Sequence, residues 1–370
     1  MNKTLNWASK RKTDREEVQD LIEHKDEVKE KMRSDIKNRT LKTWVHKAYL
    51  RLDGVSKKPR VIVPPDFSRE RPEQWWHYIG IKSIQSIIVK GAYFYSCGSL
   101  PNKGIHFGKK YLAKFIKNHP KDIKYCLKID VKHFYPSIDT DLLKYKLERI
   151  IKNDDLLYLL FWIIDNNIAV LEDGTVMVGG LTVGGYPSQW FANFFLQDFD
   201  HYMKEVLKVK FYMRYMDDIV VLSRNKKELR KVLEEIRTQF KLLHLELKSN
   251  YQIIKFDYTD KFGKQHGRFI DFMGFKFYRS KTTIRKTTFL RACKVARKIH
   301  NTNKLTLKRA YKIVSYKGWF DDTNTFQAYN KHIKNNVSIK NCKKLISIES
   351  KRGEKHGNRV QIFRKQYKTA

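Results

Sequence analysis

Two adjacent carboxylates, Asp217 and Asp218, lie in a short polar segment, Tyr215-Met216-Asp217-Asp218, between two apolar runs. The runs, residues 211–213 and 219–222, are typical of short buried strands, and the polar pair falls where the chain must turn between them. Carboxylates held together on a tight turn repel each other unless a cation lies between them. Hard divalent cations prefer oxygen ligands, so Mg²⁺, or alternatively Mn²⁺, is the predicted ion. Two such ions about 3.5–4 Å apart can stabilise both the attacking and the leaving oxygen of a phosphoryl transfer, which indicates a nucleic-acid polymerase.

A third carboxylate, Asp130, supports this interpretation over that of a solvated hairpin tip, where Asp is also common. Asp130 ends another strand-like run, residues 125–129, and is followed by an aromatic pair and a proline turn at residues 134–136. The alternative role, capping the next helix, fits Asp139 better, because residues 140–143 open an apolar-periodic stretch. We therefore predict that Asp130, Asp217 and Asp218 are the catalytic residues and the metal ligands.

The composition predicts a polyanionic partner. The chain has 76 Lys and Arg residues against 39 Asp and Glu, a formal net charge of +37. The basic residues are spread along the whole chain, which favours a long nucleic-acid track over a single small site. Aromatic residues, 13% of the chain, offer stacking surfaces for unpaired bases. No run of about 18 apolar residues and no secretory signal is found, so a membrane is not a predicted partner. The four cysteines lack the spacing of a zinc site, and a cytoplasmic protein with reduced thiols is expected.

A glycine-rich segment, residues 174–185, precedes a strongly apolar helix that is predicted over residues 186–196. A glycine loop can approach a base pair closely, and Ser188 and Gln189 at the helix start can donate hydrogen bonds to a nucleotide or to a template strand. Without the carboxylates, the same pattern would indicate an ordinary capped core helix. Helices are also predicted over residues 14–32, 140–170 and 226–245, and a small hairpin over residues 269–278.

These segments, in this order, resemble a reverse transcriptase over about residues 58–335. The resemblance rests on Asp130 with the aromatic residues after it, Val183-Gly184 with Ser188-Gln189, Tyr215-Met216-Asp217-Asp218, and Phe272-Met273-Gly274-Phe275, which is similar to a primer grip. It implies the α+β fold of a right-hand polymerase, with fingers, a palm that contains an antiparallel sheet, and a helical thumb. The implied organisation is a basic N-terminal helical extension at 1–57, fingers and palm at 58–284, the thumb at 285–345 and a basic C-terminal tail at 346–370.

The resemblance also implies roles for individual residues. By its position after Asp130, Tyr135 resembles a steric gate, an aromatic ring against the sugar that excludes a 2′-hydroxyl; the alternative is a packed core aromatic. Arg60 and Arg71 resemble the fingers residues that clamp the triphosphate, because Arg suits bidentate phosphate contacts. Lys248 could act as a general acid for pyrophosphate, or it could be a solvated lysine at a strand edge. The other implied nucleotide contacts are Val131, Phe134, Ser188 and Gln189, and the implied nucleic-acid contacts are Tyr215, Met216, Gly184, Phe272, Gly274 and Lys248.

The subfamily is indicated by two patterns. Gly184-x-x-x-Ser188-Gln189 and the thumb segment Tyr316-Lys317-Gly318-Trp319 resemble diversity-generating retroelement reverse transcriptases, and bacterial defence-associated reverse transcriptases share much of this pattern. Both imply an enzyme that copies an RNA template with dNTPs from a DNA or RNA primer, and either could act as a homo-oligomer.

Two biological roles follow. The role we favour uses a dedicated noncoding RNA in anti-phage defence, because the N-terminal extension exceeds what a minimal copying enzyme needs. The alternative makes mutagenic cDNA for a diversity-generating retroelement together with an accessory protein. An RNA-binding scaffold with a vestigial polymerase site and an RNA-dependent RNA polymerase stay open as alternatives of other kinds; Tyr135 argues for DNA synthesis.

Overall fold

The computed structural model describes residues 2–356 with the exception of residues 11, 14 and 53–58, and it describes side chains up to residue 350. Contacts divide the chain into two compact units. Unit 1 consists of Met1–Lys103, Lys128–Ile219 and Arg230–Tyr251, and unit 2 consists of Gly104–Leu127, Val220–Leu229 and Gln252–Ala370. Residues 53–58, where the predicted extension meets the predicted fingers, and residues 357–370 of the predicted tail lie outside the described residues.

Fourteen α-helices form in the part of the chain that the structure describes. They are α1 (Asn2–Ser9), α2 (Glu16–Glu23), α3 (Lys25–Lys37), α4 (Glu73–Gly91), α5 (Ile105–Asn118), α6 (Thr140–Ile150), α7 (Asp154–Asp165), α8 (Tyr186–Phe195), α9 (Gln197–His201), α10 (Lys226–Leu242), α11 (Lys286–Thr302), α12 (Leu307–Asp321), α13 (Phe326–Tyr329) and α14 (Ile339–His356). Short π-helical segments follow α9 and α13, at Tyr202–Val206 and Asn330–Lys334.

The strands are short. They are β1 (His46–Lys47), β2 (Tyr49–Leu52), β3 (Pro59–Ile62), β4 (Tyr125–Asp130), β5 (Ala169–Val170), β6 (Val176–Met177), β7 (Phe211–Tyr215), β8 (Asp218–Ser223), β9 (Gln252–Lys255), β10 (Tyr258–Thr259), β11 (Gln265–His266), β12 (Ile270–Phe272), β13 (Phe275–Phe277) and β14 (Thr282–Ile284). A four-stranded sheet has the order β7-β8-β4-β9, and β4 and β8 each contribute residues to both units. The strands β2 and β3 form an antiparallel ribbon, and β12, β13 and β14 form an antiparallel sheet. In a small mixed sheet, β5 pairs with β1 in parallel and with β6 antiparallel.

Side-chain caps explain why the region predicted to be helical over 140–170 is two helices. The Asp139 side chain accepts a hydrogen bond from the Leu142 N–H at 2.8 Å, so the predicted cap of α6 is confirmed. Asn153 accepts one from the Leu156 N–H at 2.8 Å and begins α7 in the same way. Each cap satisfies a backbone donor that has no partner within the helix. The predicted helix over 14–32 is likewise divided, at His24, into α2 and α3.

Each unit has a buried aromatic core. In unit 1, the aromatic side chains of α4 and α8 that are at most 1% exposed are Trp75, Trp76, Phe191 and Phe195. In unit 2, those at most 1% exposed include Phe256, Phe272, Phe275 and Phe277. Burial of one such ring contributes about 1.5–3 kcal/mol to stability. In the part of the chain that the structure describes, no helix is long and apolar enough to cross a membrane.

Candidate active site

The turn that carries the adjacent carboxylates is formed as the sequence predicts. Strand β7 ends at Tyr215, β8 begins at Asp218, and Met216 and Asp217 form the two-residue loop between them. The backbone of Met216 is in the left-handed region, with φ of +56°, as tight hairpin loops require of their first residue. The strands on both sides are buried, whereas Asp217 and Asp218 are partly exposed. The buried strands therefore hold the turn in place, and both of its carboxylates remain accessible to solvent.

Asp130 lies close to both carboxylates of the turn. It is the last residue of β4, which neighbours β8 in the sheet. Burial raises the pKa of Asp217 above its ordinary value, and the negative charge of Asp130 raises it further. Burial raises the pKa of Asp218 to about 7; Lys128 opposes this shift, and Asp130 and Asp217 add to it. The structure thus brings the three predicted catalytic residues together, close enough for their like charges to interact.

Two lysines balance part of this negative charge. The Lys248 ammonium donates a hydrogen bond to Oδ1 of Asp130, and the Lys248 N–H donates to the Asp130 carbonyl oxygen at 2.9 Å. Nζ of Lys128 lies 3.5 Å from Oδ2 of Asp218. Lys128 and Asp130 are two residues apart on β4, so their side chains point to the same face of the sheet. The Lys248 side chain is 38% exposed, and its pairing places it in the site rather than at a merely solvated strand edge.

The donor atoms of the site fit a hard divalent cation. Among the residues that the structure describes, no three His, Cys, Asp or Glu side chains are already arranged to hold a metal ion. However, Oδ1 of Asp218 is buried without a hydrogen-bond partner within that part of the chain, and a buried carboxylate oxygen in this state is costly. Burial first, and then the neighbouring carboxylates, raise the pKa values of Asp217 and Asp218, and a bound cation would favour their charged forms. Oxygen ligands of this kind are the ones that Mg²⁺ prefers.

Tyr135 and Arg60 also lie near the carboxylates. Burial raises the pKa of the Tyr135 hydroxyl, and the charge of Asp217 raises it further. The positive charge of Arg60 opposes the shifts of both Tyr135 and Asp217. The Tyr135 hydroxyl and the Arg60 guanidinium are therefore close enough to Asp217 for their charges to interact.

The other predicted nucleotide contacts near Asp130 differ in exposure. Val131 and Phe134 are 1% and 3% exposed and pack inside unit 1. Val131 forms a backbone bridge with Leu247, and the Phe134 ring lies 5.5 Å from the Tyr135 ring. Arg71 stacks its guanidinium over the Trp44 ring at 5.7 Å. The structure therefore buries Val131 and Phe134, packs the Phe134 ring beside Tyr135, and places Arg71 against the Trp44 ring.

The glycine-rich segment before α8 packs closely against β3. Gly184 has φ of +132°, and a Cβ atom there would lie 2.4 Å from the Val63 carbonyl oxygen, so only glycine fits. The Val63 N–H donates to the Val183 carbonyl oxygen at 2.8 Å. The buried Ser188 hydroxyl donates to the Thr182 carbonyl oxygen, whereas Gln189 is exposed. Ser188 orders the loop, and Gln189 is the side chain that is available to a ligand.

The predicted primer-grip-like hairpin forms within unit 2. Residues Phe272 and Phe275 are paired across β12 and β13, and both are 0% exposed. Gly274 has φ of +86°, and a Cβ atom there would lie 2.6 Å from the Trp319 ring of α12. The hairpin predicted over residues 269–278 is confirmed, and its turn lies against the Trp319 ring of α12.

Sequence reasoning missed a buried network beneath the turn. Arg214 and Asp200 form an ion pair whose side chains are 1% and 0% exposed, and Asn193 is 1% exposed beside them. Lys128 was missed as well. The available signal was a charged residue inside a strand that is otherwise apolar, since a buried charge demands a partner.

Comparison with known proteins supplies the family. The model of the family described as reverse transcriptase (RNA-dependent DNA polymerase) matches residues 68–277, more than half of the 370 residues. The matched region contains all three carboxylates. No curated protein matches the chain in sequence.

Solved structures supply the fold. The chain is similar to apo telomerase from Candida tropicalis, with a TM-score of 0.50 and 12% identity, covering 85% of this chain and 64% of that chain. It is also similar to telomerase from Candida tropicalis in complex with a TWJ fragment of telomeric RNA, with a TM-score of 0.50 and 11% identity, covering 82% of this chain and 57% of that chain. The chain thus spans less than two thirds of either telomerase chain, and at these identities the likeness shows the fold alone.

The predicted α+β fold of a right-hand polymerase is confirmed by this likeness and by the mixture of helices and antiparallel sheets. The match over residues 68–277 confirms the predicted enzyme class, an RNA-directed DNA polymerase, and the chain belongs to the reverse transcriptase family.

Proposed function

We propose that this chain polymerises DNA on an RNA template at a site formed by Asp130, Asp217 and Asp218. The observation that carries the proposal is the effect of Asp130 on the pKa of both aspartates of the turn, from a different strand of the sheet. Three like charges held together are costly unless cations bind there, and such clusters are typical of functional sites. The chain as a whole carries a net charge of +37. A group of three carboxylates in such a basic chain therefore supports a specific function at this site.

The carboxylates would hold two Mg²⁺ ions, which when bound would lower the pKa of the primer 3′-hydroxyl and neutralise the triphosphate and the leaving pyrophosphate. Asp130 and Asp217 are the principal ligands in this proposal, and Asp218 assists. Lys248 pairs with Asp130 and Lys128 pairs with Asp218, and these contacts orient the two carboxylates before the substrate arrives. The contribution of the chain is then positioning and charge neutralisation.

Tyr135 and Arg60 are the residues that we assign to the incoming dNTP. Both are close enough to Asp217 to interact with its charge, and in this proposal a nucleotide held at the carboxylates would place its sugar at the Tyr135 ring and its phosphates at the Arg60 guanidinium. The ring excludes a 2′-hydroxyl by contact, and the guanidinium suits phosphate oxygens. Gln189, which is exposed at the start of α8, is available to the template strand.

The activity is tested with purified protein, an RNA template and a DNA or RNA primer. We expect Mg²⁺-dependent incorporation of dNTPs that EDTA abolishes, with NTPs incorporated far less well. Incorporation of NTPs in preference to dNTPs would favour an RNA polymerase. RNA binding with no incorporation under any divalent cation would favour the scaffold with a vestigial site.

For the biological role, we propose that the enzyme acts in anti-phage defence, in the cytoplasm, with a dedicated noncoding RNA. Its protein partner would be either further copies of the same chain, in a homo-oligomer, or an accessory protein. The three N-terminal helices α1, α2 and α3 support this choice, because they add to what a minimal copying enzyme needs. The alternative is a diversity-generating reverse transcriptase that makes mutagenic cDNA.

These roles differ in the RNA that they use. RNA that copurifies with the chain, recovered after crosslinking and sequenced, should be one structured noncoding species if the role is defence. Cells that carry the Asp217→Asn variant should then lose protection against phage. A template repeat that is copied into cDNA with errors concentrated at adenines would establish the alternative role instead.

A further inference from the structure

A buried ion pair lies directly beneath the catalytic turn. Arg214, the residue before Tyr215, donates from Nε to Oδ1 of Asp200 at 2.8 Å and from Nη2 to Oδ2 at 2.6 Å. The two side chains are 1% and 0% exposed. The Tyr212 hydroxyl donates to the same Oδ1 at 2.6 Å. Two parallel contacts to one carboxylate leave the guanidinium a single orientation.

The third nitrogen of this guanidinium reaches the turn itself. Nη1 of Arg214 donates to the Met216 carbonyl oxygen at 3.0 Å. That carbonyl belongs to the peptide group that joins Met216 to Asp217, and a peptide group is planar. A hydrogen bond that fixes the carbonyl therefore fixes the direction in which the Asp217 backbone leaves the turn, and with it the position of the carboxylate.

Met216 adopts a conformation that its surroundings must impose. Its φ of +56° is unfavourable for a residue that carries a Cβ atom. Its side chain is held on two sides: a Cβ atom on Gly98 would lie 2.7 Å from Cγ and Sδ of Met216, and Nδ2 of Asn193 lies 3.6 Å from Sδ. Asn193 also donates to the Gly98 carbonyl oxygen at 2.9 Å. The Arg214 contact, the glycine and the asparagine together maintain the strained residue.

We propose that Arg214, held by Asp200, is a positioning residue for nucleotidyl transfer: it fixes the Met216–Asp217 peptide group and thereby sets where the Asp217 carboxylate lies. This inference rests on the proposed function of the site. A buried ion pair is often no more stabilising than apolar side chains of the same size. The positioning role therefore gives a reason for the burial of Arg214 and Asp200 that stability alone does not give.

Arg214→Lys tests the proposal because a lysine keeps the charge but cannot form the fork to Asp200 and also reach the Met216 carbonyl oxygen. We expect kcat for dNTP incorporation to fall about 10- to 100-fold, since small misplacement of a catalytic group has effects of this order. The KM for dNTP and the affinity for primer–template should stay within about twofold of the original values. Arg33→Lys, at an exposed arginine paired with Glu30, is the matched control and should change neither constant.

Gly98→Ala provides a second variant that leaves the ion pair intact. Its added methyl group would press on Met216, so the same selective loss of kcat is expected. If Arg214→Lys remains folded and both variants keep normal kcat, the proposal is wrong. A loss of thermal stability with equal changes in KM and primer–template affinity would also overturn it, since that pattern indicates a purely structural role.

Hydrogen exchange separates this proposal from the proposed function. Backbone amides of the peptide that spans residues 211–223 should exchange at least about tenfold faster in Arg214→Lys than in Arg33→Lys, because the turn loses its anchor. Faster exchange in a protein that does not polymerise would show that Arg214 anchors the Met216–Asp217 peptide group, but it would remove the proposed function. Unchanged exchange would overturn the positioning role whether or not the enzyme is active.

Discussion

Lys128 and Asp218 form an ion pair at the carboxylate turn, with Nζ of the lysine 3.5 Å from Oδ2 of the aspartate. The second carboxylate oxygen, Oδ1, is buried and has no hydrogen-bond partner in the described part of the chain. One oxygen of the Asp218 carboxylate is thus paired with a lysine, and the other would be available to a cation.

This pairing predicts competition between Lys128 and the metal ions. Partly exposed ion pairs are worth about 0.2–1 kcal/mol, so Lys128→Met should lower the Mg²⁺ concentration for half-maximal incorporation by up to about fivefold. Lys128→Arg, which keeps the charge, should leave it nearly unchanged. A Mg²⁺ titration of initial rates at pH 8.5 measures the effect, and a higher Mg²⁺ requirement in Lys128→Met would show that the lysine assists metal binding.

Tyr135 provides a test of sugar discrimination. Removal of the ring in Tyr135→Ala should admit ribonucleotides and reduce the ratio of kcat/KM for dNTP to that for NTP by about 10- to 100-fold, the discrimination that a steric contact can supply. Tyr135→Phe keeps the ring and should keep the ratio. Single-nucleotide incorporation with matched dNTP and NTP pairs gives both values. An unchanged ratio in Tyr135→Ala would assign the ring to the core instead.

Gly184 should tolerate no side chain. In Gly184→Ala the new Cβ would lie 2.4 Å from the Val63 carbonyl oxygen, at a φ of +132°, so the contact between Val63 and Val183 must open. We expect the free energy of unfolding to fall by about 1–3 kcal/mol, measured by urea denaturation. Gly185→Ala is the neighbouring control, because a Cβ there would make only ordinary contacts, the nearest at 3.5 Å. Equal stabilities of the two variants would contradict this account of the loop.

Glu73 links acid stability to the scaffold of unit 1. This buried carboxylate accepts the Asp66 N–H at 2.9 Å and lies 3.4 Å from Nε2 of both His46 and His77. Burial alone would raise its pKa, but the His77 hydrogen bond and charge, then His46 and the Asp66 N–H, hold the pKa below its ordinary value.

A lowered carboxylate pKa gives stability that is present above the ordinary value of 4.5 and is lost as the pH falls through the folded value. The free energy of unfolding of the original chain should therefore fall more steeply between pH 5 and pH 3 than that of Glu73→Gln. Glu30→Gln, at an exposed residue, should retain the full slope. Chemical denaturation at a series of pH values makes the comparison, and identical slopes in the original chain and Glu73→Gln would refute it.

Local sequence patterns were sufficient to predict the turn that carries Asp217 and Asp218, and also the position of Asp130 at a strand end. The apolar runs around Asp217 and Asp218 are short and strongly hydrophobic, so strand and turn had to fall where they do. Asp130 follows the same logic at the end of β4. The Asp139 cap was predictable because capping depends on residues only three positions apart, as its bond to the Leu142 N–H shows.

Partners that are distant in the sequence were not predictable. The ammonium of Lys248 meets Asp130 across 118 positions, and the choice of Asp200 for Arg214 depends on how α9 packs against β7. Periodicity reports which face of an element is buried, but it does not report which charge on another element lies opposite. The contact of Arg71 was not predictable either, because its guanidinium stacks on Trp44, which is distant in the sequence. The sequence also contains many other basic residues that could bind the triphosphate.

The most direct test of the central claim is Fe²⁺-mediated cleavage of the folded chain. Fe²⁺ takes oxygen ligands similar to those of Mg²⁺, and with ascorbate and peroxide it cuts the backbone next to the bound ion. We predict two cuts, near residue 130 and near residues 217–218, both suppressed by excess Mg²⁺ and both lost in Asp217→Asn. Cuts at only one of these positions, or cuts that persist in Asp217→Asn, would show that the three carboxylates do not share a metal site.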